Sequence, residues 1–426
     1  MNNVVTIREN KKDLLDITVL VLLITIIFSN ATVLRRYLII MFPLAAIMLA
    51  FSIIIRKREI HINIQDVLWY LVLMYLIIML PFSYNIKESL IHVCYYGVSV
   101  IIMVLLRSKA NILLTLIKSF KIIATIFSVV TILSFINKNI IPTRFHFMFD
   151  YDRLLKINHE IGKNAFSGLA GEVSYNMFSI AIGFGIILSS YLIYKKSTLS
   201  YNTLILIMCF ALLLTQKRSI LVILLLTIIF LMLVLLDKSV IKKVFKIIAI
   251  FLFLIMFIFF AFPNVLRIFE RFFIGGQLYL SGRNTLWSYA MDMFLERPLF
   301  GYGIGSYNIY CNYMGYFAGK KHAHNIYFQL LAETGLVGFL LFSCVFTFSL
   351  FKTIRLIKKT VKLTNNYQLR VLSVFSLYLQ LFFLIYGLVG IPLYNFTQFL
   401  VYLISISISA YVEKETRFLT LNTDSV

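Results

Sequence analysis

The sequence predicts an all-α, polytopic membrane protein of about twelve transmembrane helices, and three observations carry that prediction. The 426-residue chain is 61% hydrophobic and only 14% charged, far more apolar than a soluble domain. Apolar runs recur along it, and a run of about 20 such residues crosses a hydrocarbon core of roughly 30 Å. The runs are continuously apolar rather than alternating, which excludes a β-barrel.

Taken in order, the predicted spans are 14–29, 37–55, 66–82, 89–106, 119–136, 174–194, 201–216, 219–236, 244–262, 326–351, 371–388 and 393–412. The first follows Arg8, Lys11 and Lys12 and precedes Ser29-Asn30-Ala31, a faint cleavage site. It reads as an uncleaved first helix rather than a removed leader, because many spans follow. An even number of spans places both termini on one side.

The net charge of +22 raises the question of a nucleic-acid partner, and its distribution answers it. Basic clusters at Arg56-Lys57-Arg58, Arg107 with Lys109, Lys195-Lys196, Lys238 to Lys246 and Lys352 to Arg370 fall in alternate short connections, joined by Lys118, Lys121 and both tails. This is the positive-inside pattern. No nucleic-acid partner is implied, and this face, with both termini, is expected in the cytoplasm. The opposite face carries two long connections, 137–173 and 263–325, where function is usually placed. The chain therefore reads as a single integral membrane domain over 1–426 with an outer cap. Cys94, Cys209 and Cys344 lie in apolar runs and Cys311 stands alone in a polar loop, so no disulfide framework is expected.

Polar residues out of place in so apolar a chain concentrate between Ser281 and Phe342. The run Gly301-x-Gly303-x-Gly305 lacks the preceding strand and βαβ setting of a dinucleotide fingerprint. It reads as a tight, backbone-exposing loop after a helix ended by Pro298. His322 and His324 form an H-x-H pair, but no third ligand lies at convincing spacing, although Glu333 follows, and a stable metal site needs three or four. No metal is expected. His324 lies where the tenth span starts, and a helix N-terminus favours anions.

Arg283 precedes a short amphipathic helix, 284–296, with Leu286, Ala290, Met293 and Phe294 on one face. The residue is either a cation resting at lipid headgroups or a planar fork for a phosphate. Arg218, in Thr215-Gln216-Lys217-Arg218-Ser219, occupies a brief turn between very apolar helices. A cation costs about 2.5–3.5 kcal/mol at a helix centre on insertion scales, so it either snorkels to the interface or has a task. Glu172 opens the sixth span from the same face. It is a helix-start charge, a general base or a partner for an arginine. Such a set suits an anionic headgroup whose apolar tail stays in the bilayer, and no soluble cofactor is implied.

The ordered elements resemble the O-antigen polymerase and ligase superfamily of membrane glycosyltransferases. Thr215-x-x-Arg218 at a helix end is similar to that family's T-x-S-R element, although Lys217 stands where the family often has Ser. Gly282-Arg283-x-x-Leu286-Trp287 and Pro298-Leu299-Phe300-Gly301-x-Gly303-x-Gly305, after Arg297, resemble its large-loop elements. His324-Asn325, followed nine residues on by Gly335-x-x-Gly338, resembles its signature at the return into the membrane. The strong matches cover about 215–342.

The resemblance implies a C-class glycosyltransferase fold with a large extracytoplasmic loop between helices 9 and 10, working without a metal in the bacterial cytoplasmic (inner) membrane. The implied donor is a glycan linked through pyrophosphate to undecaprenol. Arg218 and Arg283 would hold that pyrophosphate, and His324 would orient or deprotonate the acceptor hydroxyl. Glu172, from its position alone, is a rival base. Lys217, Trp287, Arg297, His322 and Asn325 are the expected substrate contacts. Implied partners are the lipid-linked donor and acceptor, the bilayer, a chain-length regulator and a flippase.

Within the family a polymerase builds O-antigen, capsule or exopolysaccharide from repeat units. A ligase moves the finished chain onto lipid A-core, completing lipopolysaccharide, or onto a protein as an O-oligosaccharyltransferase. The polymerase is the favoured reading. A polysaccharide flippase or transporter is the contrasting class. It would place polar residues near the bilayer midplane, whereas here they crowd one face.

Overall fold

A computed structural model describes residues 14–423 except 58, 60–61, 195–198, 236, 262–272, 275–276, 279–281, 317–318, 320 and 364–365. Some side chains within helices, that of Arg218 among them, also lie outside the described residues. So do the expected basic clusters at Arg8 to Lys12 and Lys195-Lys196.

Helices stand on all twelve apolar runs. They are α1 (Leu14–Phe28), α2 (Leu38–Ile55), α3 (Ile64–Met79), α4 (Ile86–Arg107) and α5 (Ala110–Ile136), then, after two short helices α6 (Ile140–Arg144) and α7 (Tyr151–Gly162), α8 (Val173–Ile193), α9 (Leu199–Leu214), α10 (Arg218–Leu235) and α11 (Lys238–Ala261). The second long connection holds a small hairpin pairing Phe273–Ile274 with Gln277–Leu278, then α12 (Arg283–Glu296) and α13 (Tyr307–Tyr313). The chain closes with α14 (Ile326–Leu363), α15 (Tyr367–Gly387) and α16 (Phe396–Thr423). Among the described residues, 8 helical segments are long and apolar enough to cross a membrane. Three shorter apolar segments, Leu14–Phe28, Leu199–Leu214 and Val222–Leu235, accompany them. This is a polytopic all-α membrane protein.

Burial sorts the helices. α8 and α15 form the centre, packed on each other and on α5, α9, α10, α14 and α16. Their residues are buried on nearly every face, as expected of helices apolar all round and enclosed by others. A second core gathers Trp69 of α3, Phe342 and Phe346 of α14, and Phe399 and Tyr402 of α16. The outer helices instead expose large apolar side chains, among them Ile39, Ile47 and Ile54 of α2 and Met74 and Ile78 of α3. A lipid-facing surface requires this.

At the end remote from the candidate site, ion pairs hold the bundle together. Asp16 meets Lys109 and Arg56, both at 3.2 Å, and Asp66 meets Arg107 at 2.6 Å. Pairing is what lets such charges stand where water is scarce. Two sequence expectations shift. α5 begins at Ala110 rather than near 119, so Lys118 and Lys121 sit inside a helix and not in a connection. α14 is not one continuous rod from 326 to 351, since it breaks at Gly335 and runs on to Leu363.

Candidate functional site

The break in α14 organises the site. Gly335 has φ 62 and ψ −170, a backbone conformation open only to residues without a Cβ. The break strands amides that a helix would have satisfied. The glycine loop supplies their acceptors, as the Leu336 amide donates to the Pro298 carbonyl at 2.8 Å and Val337 to Leu299 at 3.1 Å. In the other direction Gly303 N donates to the Glu333 carbonyl at 2.7 Å, and the Tyr75 hydroxyl of α3 to that of Thr334 at 2.6 Å. A Cβ on Gly301 would lie 2.4 Å from the Glu333 carbonyl oxygen, and one on Gly335 would lie 2.4 Å from the Leu299 carbonyl. The loop is tight, as expected, but its backbone is buried against α14 and the α3–α4 turn rather than exposed to a ligand.

Beneath this contact lies Glu333, fully buried. Its carboxylate accepts from Gly305 N (2.7 Å), Tyr307 N (3.0 Å), the Tyr394 hydroxyl (2.8 Å) and Gln329 Nε2 (3.1 Å). Four donors fill the acceptor positions of its two oxygens. Gln329 extends the network, with Nε2 at 3.2 Å from His322 Nδ1 and Oε1 accepting from Ala323 N at 3.1 Å. One buried carboxylate thus ties the glycine loop, α13, the segment 322–325 and the α15–α16 connection together. The sequence offers one signal for it, a lone Glu inside an apolar run, which by spacing alone reads only as a remote metal ligand.

Above this base, His324 sits at φ 52, in the left-handed region that a non-glycine residue occupies at a cost of about 1–3 kcal/mol. The following residue ends the strain: Asn325 Oδ1 accepts from Tyr327 N at 2.9 Å and Phe328 N at 3.2 Å, capping α14. His324 reaches solvent. Desolvation by the surrounding protein, then the charges of Arg283 and Lys217, hold its pKa below the ordinary 6.5. Those charges identify its neighbours. Arg283 is the first residue of α12, after Gly282 at φ 72. Lys217 follows Gln216, another non-glycine residue at φ 52, and its carbonyl accepts from Ile220 N at 3.0 Å, opening α10. Lys217 and Arg283 therefore both lie within electrostatic reach of His324, each from a separate turn. Tyr386 of α15 feels both Arg283 and Glu172, which carries the site on to the first long connection.

There Glu172 precedes α8 and accepts from Arg153 NH1 at 2.9 Å. It thus stands at the start of α8 and pairs with an arginine, Arg153, that is not among those singled out from the sequence. Its neighbour Glu160, at the end of α7, is the acid that sequence reasoning passed over. Burial, then Glu172, pushes the Glu160 pKa up to about 7, against the pull of Lys217, the Val173 amide and Arg153. One of its oxygens, Oε2, is buried without a hydrogen-bond partner.

The remaining candidates divide. The Trp287 ring lies against Phe328 with centroids 5.6 Å apart, and its buried indole N–H has no acceptor. The Arg297 guanidinium lies 4.4 Å above the Tyr302 ring, beside Glu296, whose carboxylate accepts the Tyr302 hydroxyl. His322 belongs to the Gln329–Glu333 network and Asn325 to the helix cap, so both have structural partners that the sequence did not reveal. Arg218 opens α10 next to Lys217, while its side chain lies outside the described residues.

No curated protein matches the chain. Residues 203–343, about a third of it, match the family model described as O-Antigen ligase. This stretch, which holds Lys217, Arg283, His324 and Glu333, is similar to the O-Antigen ligase family, consistent with the polymerase and ligase superfamily that the motifs resemble.

Proposed function

We propose that the protein polymerises undecaprenyl-pyrophosphate-linked oligosaccharide repeat units into a bacterial surface polysaccharide, transferring the glycan on the extracytoplasmic face. The family comprises glycosyltransferase-like polymerases and ligases acting on lipid-linked glycans in a membrane. The observation that carries the reading is the family match over residues 203–343, which takes in Lys217, Arg283 and His324, with both cations within electrostatic reach of the histidine.

Glycosyl transfer from such a donor needs charge compensation more than acid catalysis. The acceptor hydroxyl attacks the anomeric carbon, the bond to the pyrophosphate oxygen breaks, and the lipid pyrophosphate leaves with the electron pair. Arg283 and Lys217 are the cations to receive that developing charge, with Arg218 assigned the same task by the sequence resemblance alone, and preorganised charges are an efficient source of catalysis. His324, whose pKa is lowered by desolvation and then by the same cations, is available to take the hydroxyl proton. Glu160 and Glu172 are the rival bases. Trp287, with its unpaired N–H, is a contact for the glycan or the pyrophosphate. The positive-inside pattern supports an extracytoplasmic position for these residues and cytoplasmic termini, in a chain read as one membrane domain with 137–173 and 263–325 as its long outer connections.

The test is the size distribution of lipid-linked and surface glycans in a deletion strain complemented with wild type or Arg283→Ala. Collapse to single repeat units, restored by wild type alone, is the expected result. The family description favours a second reading, a ligase, which would instead leave long chains on the lipid carrier. Normal glycans with a well-expressed Arg283→Ala protein would overturn both.

A further inference from the structure

At the end of the bundle remote from His324, a groove of about 2920 Å³, counting its open mouth, runs between the start of α3, the second half of α14 and the end of α16. Its walls are apolar where α14 and α16 face each other: Phe348, Phe351 and Phe418 line it, and the last two are 60% and 62% exposed. Around them stand Arg355, Lys359 and Lys414, all exposed and, among the described residues, all without a hydrogen bond or ion pair. The same lining carries three acids, Glu59, Glu413 and Glu415, against six cations, and Glu413 is engaged by Lys352 at 3.0 Å and by Arg417.

The positive-inside rule accounts for cations at this end of the helices, but not for a cleft between them. A cleft with an apolar floor and a ring in which cations outnumber acids matches one kind of molecule, an amphiphile whose anionic head lies beside its apolar tails. Basic pockets between transmembrane helices bind anionic lipid headgroups for this reason.

We propose that this groove binds an anionic phospholipid, its phosphodiester held among Arg355, Lys359 and Lys414 and its acyl chains lying along Phe348, Phe351 and Phe418. A zwitterionic lipid fits less well, because its ammonium group would enter the same ring of cations. The site depends on the chain spanning a membrane and not on glycan transfer.

The experiment uses the full chain, purified and exchanged into nanodiscs of phosphatidylcholine with or without phosphatidylglycerol, with co-purifying lipid counted by native mass spectrometry. The wild type should retain phosphatidylglycerol over phosphatidylcholine by about fivefold or more, and millimolar inorganic phosphate should not displace it. The combined variant Arg355→Gln, Lys359→Gln, Lys414→Gln should lose that preference while melting at the wild-type temperature. Lys358→Gln, outside the groove lining, should keep it. Should the triple variant fail to fold, a Phe351→Trp chain decides by fluorescence, with emission quenched by brominated phosphatidylglycerol more than by brominated phosphatidylcholine. Equal retention or equal quenching by the two lipids would overturn the proposal. So would a folded triple variant that keeps the preference, or displacement by phosphate, which would mark a site for free anions.

Discussion

The Tyr394 hydroxyl donates to the Glu333 carboxylate at 2.8 Å, and this bond joins the α15–α16 connection to the loop that carries the family motifs. Glu333 is the fixed point beneath His324, Arg283 and the glycine run. Its three other donors come from α14 and from the turn between the glycines and α13.

Replacing that carboxylate by an amide tests the fixed point. Glu333→Gln turns one acceptor oxygen into a donor facing two of the four donors; a hydroxyl or amide side chain can reorient to accept, but a backbone N–H cannot, so at least one hydrogen bond is lost. A buried donor left unsatisfied costs about 1–3 kcal/mol. The variant is expected to melt several degrees lower in detergent and to lose most glycan transfer. Wild-type melting would show that the network is ornamental.

The paired glycines make a second prediction. Gly335→Ala places a Cβ 2.4 Å from backbone at a φ of 62, and backbone cannot swing aside. Severe loss of folded protein is expected, read by size-exclusion chromatography. Gly282→Ala is the control, because its φ is 72 but no atom of the described residues lies within 4 Å of the added carbon. It should cost only the conformational penalty, about 1–2 kcal/mol.

The twelve helices were legible because continuous apolar runs admit one structure in a bilayer. The site was legible only in part. Arg283, Lys217 and His324 could be named from motif order. The Glu333 hub could not, because its partners Gly305 and Tyr394 lie 28 and 61 residues away and only the fold brings them together. The same limit hid Glu160, one of four acids in its loop, since burial beside a second carboxylate leaves no trace in sequence. The glycines announced a tight turn. What the turn packs against depends on a break in α14 some 30 residues later, which the apolar pattern ran through unmarked.

Glu172 separates structural from chemical roles. Its ion pair with Arg153 is partly exposed, with side-chain exposures of 32% and 15%, and such pairs contribute little, about 0–1 kcal/mol. Glu172→Gln should therefore keep transfer within about tenfold of wild type. A general base contributes about 10²–10⁴-fold, so a loss of that size in a membrane assay with a lipid-linked donor would make Glu172 the base.

The pH dependence of transfer distinguishes His324 from Glu160. Desolvation and the two cations lower the His324 pKa, so the neutral, proton-accepting imidazole persists below pH 6.5. If His324 is the base, activity should hold as pH falls to 6.5 and drop only below it. Glu160 has its pKa raised to about 7, so a Glu160 base would become protonated as pH falls through 7 and activity would already be halved there. The variant to pair with the profile is His324→Asn, because Asn tolerates the left-handed backbone that His324 occupies at φ 52. It preserves the turn while removing the imidazole. The expected outcome is an acid limb below pH 6.5 in the wild type and a loss of about 10²–10⁴-fold in the variant at unchanged melting temperature. A limb near 7 that vanishes in Glu160→Gln would move the proton to the other long connection.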